Sequence, residues 1–248
     1  MVLNENQKEH PEHPEGSRGV VHSKVRREGS RDGAGERIAA GFDAKTTVAD
    51  TVHATVLFAD MRGYTGLAER LAPAKVVALL DEFFGVLTSA TAEYGGHVYH
   101  LAGDGMMAGF GLDGRAGVGS RDALAAGHAM LENFAQVAGR WRRELAIESG
   151  IGVGLHLGEV AKGMFGPPGH RRTTLVGDTV NVAARLCGRA RAGELLLSSA
   201  VAAELDAGPA GGRDAHSFPV LQLPRFELRG RSEPLDIWCI PASERLAF

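Results

Sequence analysis

The chain has 248 residues, of which 44% are hydrophobic and 23% are charged, and its formal net charge is −3 at pH 7. A chain of this size and composition can bury a proper hydrophobic core, and we expect one folded domain with a polar tail. The small net charge excludes a general electrostatic attraction to nucleic acid or to an anionic membrane, so local groups must hold any anionic ligand. We therefore predict neither a nucleic-acid partner nor a membrane partner.

The cysteines and the N-terminal residues indicate the expected compartment. Cys187 and Cys239 provide neither a disulfide framework nor a metal-ligand pattern, and we expect two buried, reduced thiols. The N-terminus has no apolar segment of the signal-peptide type, and no run of about 18 apolar residues occurs, so a soluble, cytoplasmic protein is expected. Residues 1–45 are polar with few large apolar side chains and predict a mobile tail, which leaves 46–248 as the folded domain.

The first predicted strand ends in an acidic residue. Residues 55–59 (TVLFA) are almost wholly apolar and predict a buried strand that ends at Asp60. A glycine-containing loop and a short helix at 65–71 follow, and this layout is one that places metal-bound phosphates on backbone N–H groups. A second helix, from 74 to about 94, has a broad apolar face and ends at a Gly-Gly pair.

The next segment predicts a hairpin with an acidic tip. Two β-prone runs, 97–102 and 106–110, flank the sequence GDG, and an Asp-Gly pair between such runs is typical of a tight turn. Asp104 is then at the tip of the hairpin. If the first strand and the hairpin are neighbours in one sheet, Asp60 and Asp104 converge, and two converging carboxylates suit a hard divalent cation.

The remaining elements complete a mixed fold. A long helix from about 121 to 145, capped by Ser120, precedes a glycine-containing strand at 151–157, where another backbone can approach closely. The order predicts an α+β fold, a ferredoxin-like βαββαβ core with additional strands and helices, in which the helices pack on one face of the sheet. The later predicted elements are strands at 160–165 and 171–176, a helix at 177–190, a strand at 194–198, a short helix, and closing strands at 218–228 and 235–240.

Five motifs, met in order, resemble the class III nucleotidyl cyclases. FADMRGYTGLAERL is similar to the metal strand and phosphate loop of that family, and GGHVYHLAGDGMMAGFG to its metal hairpin. GVGLHLGEVAKGMFG resembles its central strands, TTLVGDTVNVAARL its catalytic helix, and LRGRSEPLDIWCI its closing strands. The resemblance covers about 52 to 241, in the spacing of the family, and implies that 46–248 is a nucleotidyl cyclase catalytic domain.

The resemblance implies an enzyme that converts a nucleoside triphosphate to a 3′,5′-cyclic nucleotide and pyrophosphate. It implies that Asp60, Asp104 and the Met61 carbonyl hold two Mg²⁺ or Mn²⁺ ions in each active site. Asn181 would orient the ribose and Arg185 would neutralise charge on the α-phosphate; four residues apart on one helix, they share a face. Without the other family motifs, Asn181 as a helix cap and Arg185 as a solvated charge would be the preferred interpretations.

Further contacts follow from the same resemblance. It implies a homodimer in which two chains pair head to tail and each contributes a different half of every active site. A downstream effector would respond to the cyclic product. The residues implied to bind phosphate are Gly63, Tyr64, Thr65 and Gly66 in the loop, with Arg231, beside Arg229, before the last strand.

The base specificity stays open. In ATP-using members of the family the base is selected by a lysine four residues before the hairpin aspartate and by a second residue, here Thr174, which is compatible with ATP. His100 stands in place of that lysine; it is shorter, planar, and a donor or an acceptor according to its tautomer. It could donate to adenine, fit guanine, or suit a pyrimidine, as in the uridylate and cytidylate cyclases of antiphage defence. Strand alternation predicts that Val98 lies on the same face of the strand as His100.

Two other classes of protein are considered beside an active cyclase. A degenerate nucleotide-binding dimer that regulates without turnover is disfavoured, because the chain keeps both acidic residues together with Asn181 and Arg185. A ferredoxin-like nucleic-acid-binding domain is disfavoured by the lack of net positive charge and by the scarcity of aromatic residues on the hairpin.

Overall fold

The computed structural model describes residues 49–112, 118–167, 169–207, 220–228 and 233–241. The predicted tail at 1–45 and the candidate phosphate ligand Arg231, with Arg229, lie outside these residues. The elements, in chain order, are β1 Ala49–Arg62, α1 Tyr64–Arg70, α2 Pro73–Glu93, β2 His97–Ala102, β3 Gly105–Phe110, α3 Gly119–Leu145, β4 Gly150–Phe165, β5 Arg172–Val176, α4 Asp178–Arg189, β6 Glu194–Ser198, α5 Ser199–Ala207, β7 Leu221–Phe226 and β8 Leu235–Pro241.

The strands form one eight-stranded sheet. Its order is β2-β3-β1-β4-β6-β8-β7, and β5 pairs with β4 outside this path. The strands pair antiparallel except for β4 and β6, which are parallel. The first four strands, with α2 and α3 between them, have the order and connections of a ferredoxin-like βαββαβ unit. The predicted core is therefore confirmed, and β5 to β8, α4 and α5 are the additions.

The main hydrophobic core lies on one face of the sheet. Alternate residues of β1, namely Leu57, Ala59 and Met61, point to this face and pack with buried residues of α2, α3 and α5. Two smaller clusters lie on the other face, and residues of α4 belong to both. The expectation that the helices pack on one face is thus wrong for α4. The physical reason is that β1, β4 and β6 are apolar on both faces, so each face needs a cover.

The predicted close approach of another backbone to β4 is confirmed. A Cβ on Gly154 would lie 2.5 Å from the carbonyl oxygen of Ala183 and 2.8 Å from Cα of Cys187, both in α4. The two strands predicted at 151–157 and 160–165 are one continuous strand. Gly158 lies inside this strand, and the space of its missing side chain is occupied by Thr179, whose Oγ1 donates to the Glu159 carbonyl at 2.7 Å.

The start of α3 differs from the prediction. The helix begins at Gly119 after Val118, and no side chain caps it. Ser120 is instead fully buried, and its Oγ forms a 2.9 Å hydrogen bond with Oγ1 of Thr55 on β1. A serine ahead of an apolar helix is a sequence signal for a cap, but here the hydroxyl fastens the helix to the central strand.

Two further expectations concern cysteines and membrane spans. Cys187 and Cys239 are buried free thiols, as predicted. In the part of the chain that the structure describes, every helix is too short or too polar to cross a lipid bilayer.

Candidate active site

The two predicted acidic residues meet at one end of the sheet. Asp60 pairs with Gly105 in the ladder between β1 and β3, and the backbone N–H of Met61 donates to the carbonyl of Asp104 at 2.9 Å. Asp104 occupies the two-residue turn between β2 and β3, after Gly103 with φ of +58°. The condition set for their convergence, that the strand and the hairpin are neighbours in one sheet, is therefore met.

The electrostatics of Asp60 reflect this juxtaposition. Partial burial raises the pKa of its carboxyl above the ordinary value, and the negative charge of Asp104 raises the pKa further. Arg62, through its charge and a hydrogen bond, opposes both effects. Two carboxylates that repel each other at the end of a sheet provide a place where a cation lowers the electrostatic energy.

A residue that the sequence interpretation missed lies beside this pair. The guanidinium of Arg62 donates from Nη1 to Oδ1 of Asp60, from Nε to the carbonyl of Ala190 at 3.0 Å, and from Nη2 to the carbonyl of Cys187. Strand alternation was the available signal: Arg62 follows Asp60 by two positions and so shares its face. The carbonyls that it reaches, at the end of α4, have no signature in the sequence.

The donor set fits a divalent cation of the magnesium type. Within the described ranges, no group of three or more His, Cys, Asp or Glu side chains is placed to hold a metal ion. Zinc or calcium cages normally need such a group, whereas Mg²⁺ is commonly held by one or two carboxylates together with water and substrate phosphates. Asp60 and Asp104 are a pair of neighbouring carboxylates, and the backbone carbonyl of Met61 directly follows Asp60 in the chain. This donor set matches the second pattern.

Of the predicted phosphate loop, Gly63 alone joins β1 to α1, and the other three residues form the first turn of that helix. Gly63 has φ of +88°, a left-handed conformation that favours glycine, and a Cβ there would lie 3.0 Å from the Glu148 carbonyl. The first intrahelical hydrogen bond runs from the N–H of Leu67 to the Gly63 carbonyl. The amides of the intervening residues therefore precede the helical ladder and have no acceptor within it. These residues are Tyr64, Thr65 and Gly66.

Asn181 and Arg185 lie on the exposed side of α4. The next residues, Val182 and Leu186, turn toward the sheet and are buried in the cluster with β6 and β8. The predicted common face is confirmed, because residues four apart stack along one side of a helix. On that side, Asn181 and Arg185 are accessible to a second chain.

The two candidate base-selecting residues lie on β2 and β5. His100 is exposed and pairs with Met107, which pairs in turn with Phe58, two residues before Asp60 on the same face. The expectation that Val98 shares this face is wrong, because a bulge shifts the register between Val98 and His100. Thr174, partly buried on β5, pairs with Gly163 of β4.

The elements that carry His100 and Thr174 approach each other. A Cβ on Gly109 of β3 would lie 2.8 Å from Leu175 and 3.2 Å from Tyr99, the neighbours in sequence of Thr174 and His100. The structure therefore brings β5 and β2 together over β3.

Comparison with known proteins identifies the family. A family model described as the adenylate and guanylate cyclase catalytic domain matches residues 47–240. An adenylate cyclase of Anabaena cylindrica is 30% identical over 148 residues, which are 56% of this chain and 28% of that protein. An uncharacterised protein of Mycobacterium tuberculosis is 35% identical over 149 residues, 59% of this chain and 26% of that protein. The chain thus matches about a quarter of the length of these curated relatives.

Solved structures give the same result. The adenylyl cyclase CyaB from P. aeruginosa has a TM-score of 0.71 and 25% identity, and the match covers 80% of this chain and 98% of that chain. A guanylyl cyclase has a TM-score of 0.68 and 25% identity, with 78% and 94% covered. Because the family model spans well over half of the sequence and solved cyclase domains share its fold, the chain belongs to the class III nucleotidyl cyclases, the family of adenylate and guanylate cyclase catalytic domains.

Proposed function

We propose that this chain converts a nucleoside triphosphate to a 3′,5′-cyclic nucleotide and pyrophosphate. The observation that carries this proposal is the convergence of Asp60 and Asp104 on a cyclase fold. The ribose 3′-oxygen forms a bond to the α-phosphorus, the bond from that phosphorus to the bridging oxygen of pyrophosphate breaks, and the hydroxyl proton is released. Because the proposed substrate is a nucleoside triphosphate and the two cysteines are free thiols, we place the reaction in the cytoplasm.

Asp60, Asp104 and the Met61 carbonyl are the proposed ligands of Mg²⁺ or Mn²⁺, two ions in each site. Cyclases of this family use divalent metals in general. Such ions, when bound, lower the pKa of a coordinated hydroxyl and neutralise phosphate charge. The role proposed for this chain is to hold the two carboxylates together, and it is supported by the ladder between β1 and β3, in which Asp60 pairs with Gly105, the residue after Asp104.

The other side chains act on the nucleotide directly. Asn181 holds the ribose so that its 3′-oxygen faces the α-phosphorus, and Arg185 neutralises charge that grows on the α-phosphate. A guanidinium fork suits that second task because it is always charged and planar. The amides of Tyr64, Thr65 and Gly66 support phosphate binding, because they precede the ladder of α1. Gly63 shapes this loop, and Arg231 is proposed to reach the terminal phosphates.

We infer a homodimer with two shared sites. Asn181 and Arg185 face outward from α4, while Asp60 is engaged by Arg62 beneath the end of the same helix. A second chain can therefore supply the asparagine and arginine to the carboxylates of the first. A guanylyl cyclase domain from the fungus Blastocladiella emersonii, similar in fold, is described as a non-canonical dimer, and another from Catenaria anguillulae as a complex with GTP.

The base is proposed to be selected by His100 and Thr174. Both adenylyl and guanylyl cyclases match the chain, so the family alone does not choose between purines. A pyrimidine triphosphate is the second candidate, because His100 is exposed on β2 and differs from the lysine of ATP-using members. A uridylate or cytidylate cyclase would connect the product to antiphage signalling through a cyclic-nucleotide effector.

The base assignment predicts the effect of one substitution. His100→Lys should raise kcat/KM for ATP, relative to the other triphosphates, by about tenfold, the equivalent of one charge-assisted hydrogen bond. His97→Lys is the matched control, because His97 is exposed on the same strand but lies two residue pairs further from Asp60. An unchanged order of substrates in His100→Lys would remove this residue from the base pocket.

The direct test of the proposed function uses the purified chain, Mn²⁺ and each of ATP, GTP, CTP and UTP. Mass spectrometry should find a 3′,5′-cyclic nucleotide and pyrophosphate from at least one substrate, and EDTA should stop its formation. Binding of a triphosphate without a cyclic product from any of the four would contradict the enzyme and favour the regulatory dimer.

A further inference from the structure

We propose that Arg62 is a positioning residue that joins the metal-binding carboxylate of Asp60 to the C-terminal end of α4. Occupation of the metal site is then transmitted to the helix that carries Asn181 and Arg185. The inference rests on the proposed function, because the ion concerned is the one held by Asp60 and Asp104.

The first support is the number of partners of one side chain. Nη2 of Arg62 donates to the carbonyl of Cys187, in the last turn of α4, and Nε donates to the carbonyl of Ala190, just beyond the helix. Nη1 donates to Asp60. The final carbonyls of a helix lack their full set of donors within the helix, and they carry the negative end of its dipole. The Cys187 carbonyl accepts one backbone hydrogen bond, from the N–H of Ala190 at 3.1 Å, and Arg62 is its second donor. A guanidinium can satisfy two such carbonyls and a carboxylate together, because its donors form a fixed fork.

The second support is the orientation of the Asp60 carboxylate. Oδ1 accepts from Arg62, whereas Oδ2 lies on the hairpin side, 3.3 Å from the position that a Cβ on Gly105 would take. Gly105 directly follows Asp104. Arg62 therefore occupies one carboxylate oxygen and leaves the other turned toward the second acidic residue.

The third support is the space that surrounds the guanidinium. A Cβ on Gly152 of β4 would collide with Nη2 of Arg62 and would lie 2.9 Å from the Ala190 carbonyl, so only a residue without a side chain leaves this passage open. The backbone end of Arg62 is held as well, because Ser149 Oγ donates to its carbonyl at 3.1 Å. With its side chain 24% exposed, Arg62 is confined between β1, β4 and α4.

A purely structural role makes a different prediction. If Arg62 only capped α4, its loss would loosen the end of the helix equally with and without metal. If Arg62 links the metal site to α4, an ion that immobilises Asp60 also immobilises Arg62. Through Arg62, the ion then immobilises the last turn of α4. The quantity that distinguishes the two roles is the change in amide hydrogen exchange of α4 when the ion binds.

The experiment measures amide hydrogen exchange of the full chain by mass spectrometry, with EDTA and with saturating Mn²⁺. In the wild type, we expect Mn²⁺ to slow exchange in peptides covering 183–192 by about threefold or more. Arg62→Met, which keeps an unbranched stem but loses the charge and the fork, should show no such slowing. Mn²⁺ binding is confirmed separately by the loss of the free-ion signal in electron paramagnetic resonance.

Arg189→Met is the matched control. Arg189 lies in the last turn of α4, with its guanidinium 4.8 Å from the Phe226 ring centre, so the variant loses an arginine from the same region without altering the contact with Asp60. It should keep the Mn²⁺-dependent slowing. Equal slowing in the wild type and in Arg62→Met, at saturation, would overturn the proposed link.

A second variant covers the possibility that Arg62→Met does not fold. Arg62→Lys keeps a positive charge, but one ammonium cannot reach all three acceptors, so it should also lose the slowing. Failure of both variants to fold would overturn the link in favour of a structural role. A wild type that binds no Mn²⁺ and forms no cyclic product would instead contradict the proposed function itself.

Discussion

Asp60 lies between the like charge of Asp104 and the opposite charge of Arg62, and its pKa in the absence of metal depends on both. Burial and Asp104 raise its pKa, and Arg62 only partly offsets them. A carboxyl whose pKa is higher in the folded state than in the unfolded state favours folding at low pH. This contribution is complete below the unfolded value near 3.8 and is lost as the pH rises through the folded value.

Asp60→Asn therefore has a pH-dependent effect on stability. In EDTA at pH 8, the neutral amide should give a small increase in the free energy of unfolding, because the wild type has a partly buried charge next to Asp104. The increase should shrink toward pH 4, where the wild-type carboxyl takes up its proton. Urea unfolding at both pH values checks this, and a variant less stable than the wild type at pH 8 would show that the Arg62 ion pair dominates.

Asp104 is expected to matter for turnover but not for folding. Asp104→Ala should lower kcat by about a thousandfold or more, since loss of a metal ligand removes several kcal/mol of transition-state stabilisation. The melting temperature should stay close to that of the wild type, because the residue occupies a turn rather than the core. Asp81→Ala, an exposed position on α2, should leave both quantities unchanged. Retained turnover in Asp104→Ala would remove Asp104 from the metal site.

At the level of elements, α4 depends on the glycines of β4. Gly154→Ala should lower the free energy of unfolding by about 2 kcal/mol or more, because the added methyl group meets the backbone of α4 and the strand or the helix must move. Gly85→Ala, at an exposed position in α2 with open space around it, should raise stability by about 0.5–1 kcal/mol. Denaturant unfolding of the two variants measures the contrast. A neutral Gly154→Ala would mean that α4 is not seated on β4.

The elements that the sequence predicts well are those with local causes. The hairpin of β2 and β3 follows from an Asp-Gly turn between β-prone runs, and α2 follows from its apolar face and its Gly-Gly end. The sequence predicts that Asp60 and Asp104 meet only on the condition that β1 and β3 are neighbours in the sheet. That order is decided by which faces the helices cover, and no local signal contains it.

The features that the sequence did not predict have distant or main-chain causes. Arg62 reaches carbonyl oxygens 128 and 125 residues away, and a backbone carbonyl has no side chain to mark it. The bulge after Val98 breaks the alternation that strand arguments assume. Ser120 has the residue type and position of a cap, but Thr55 of β1 offers its hydroxyl a partner in the core.

At the level of the whole molecule, the two halves of the proposed site are carried by different elements. The carboxylates lie at the end of the sheet, with Arg62 between Asp60 and the end of α4, while Asn181 and Arg185 project from the exposed side of that helix. A twofold-related pair of chains can bring the two halves together, and it then has two equivalent sites. In the proposed dimer, each site uses Asp60 from one chain and Arg185 from the other.

Mixing two inactive variants tests this arrangement most directly. Asp60→Ala and Arg185→Ala should each be nearly inactive alone, whereas an equimolar mixture that has exchanged subunits should recover about a quarter of wild-type turnover, since half of the dimers are mixed and one of their two sites is intact. Pyrophosphate release from the mixture, with mixed dimers verified by native mass spectrometry, gives the answer. No recovery in verified mixed dimers would contradict a site shared between chains and formed around Asp60 and Asp104.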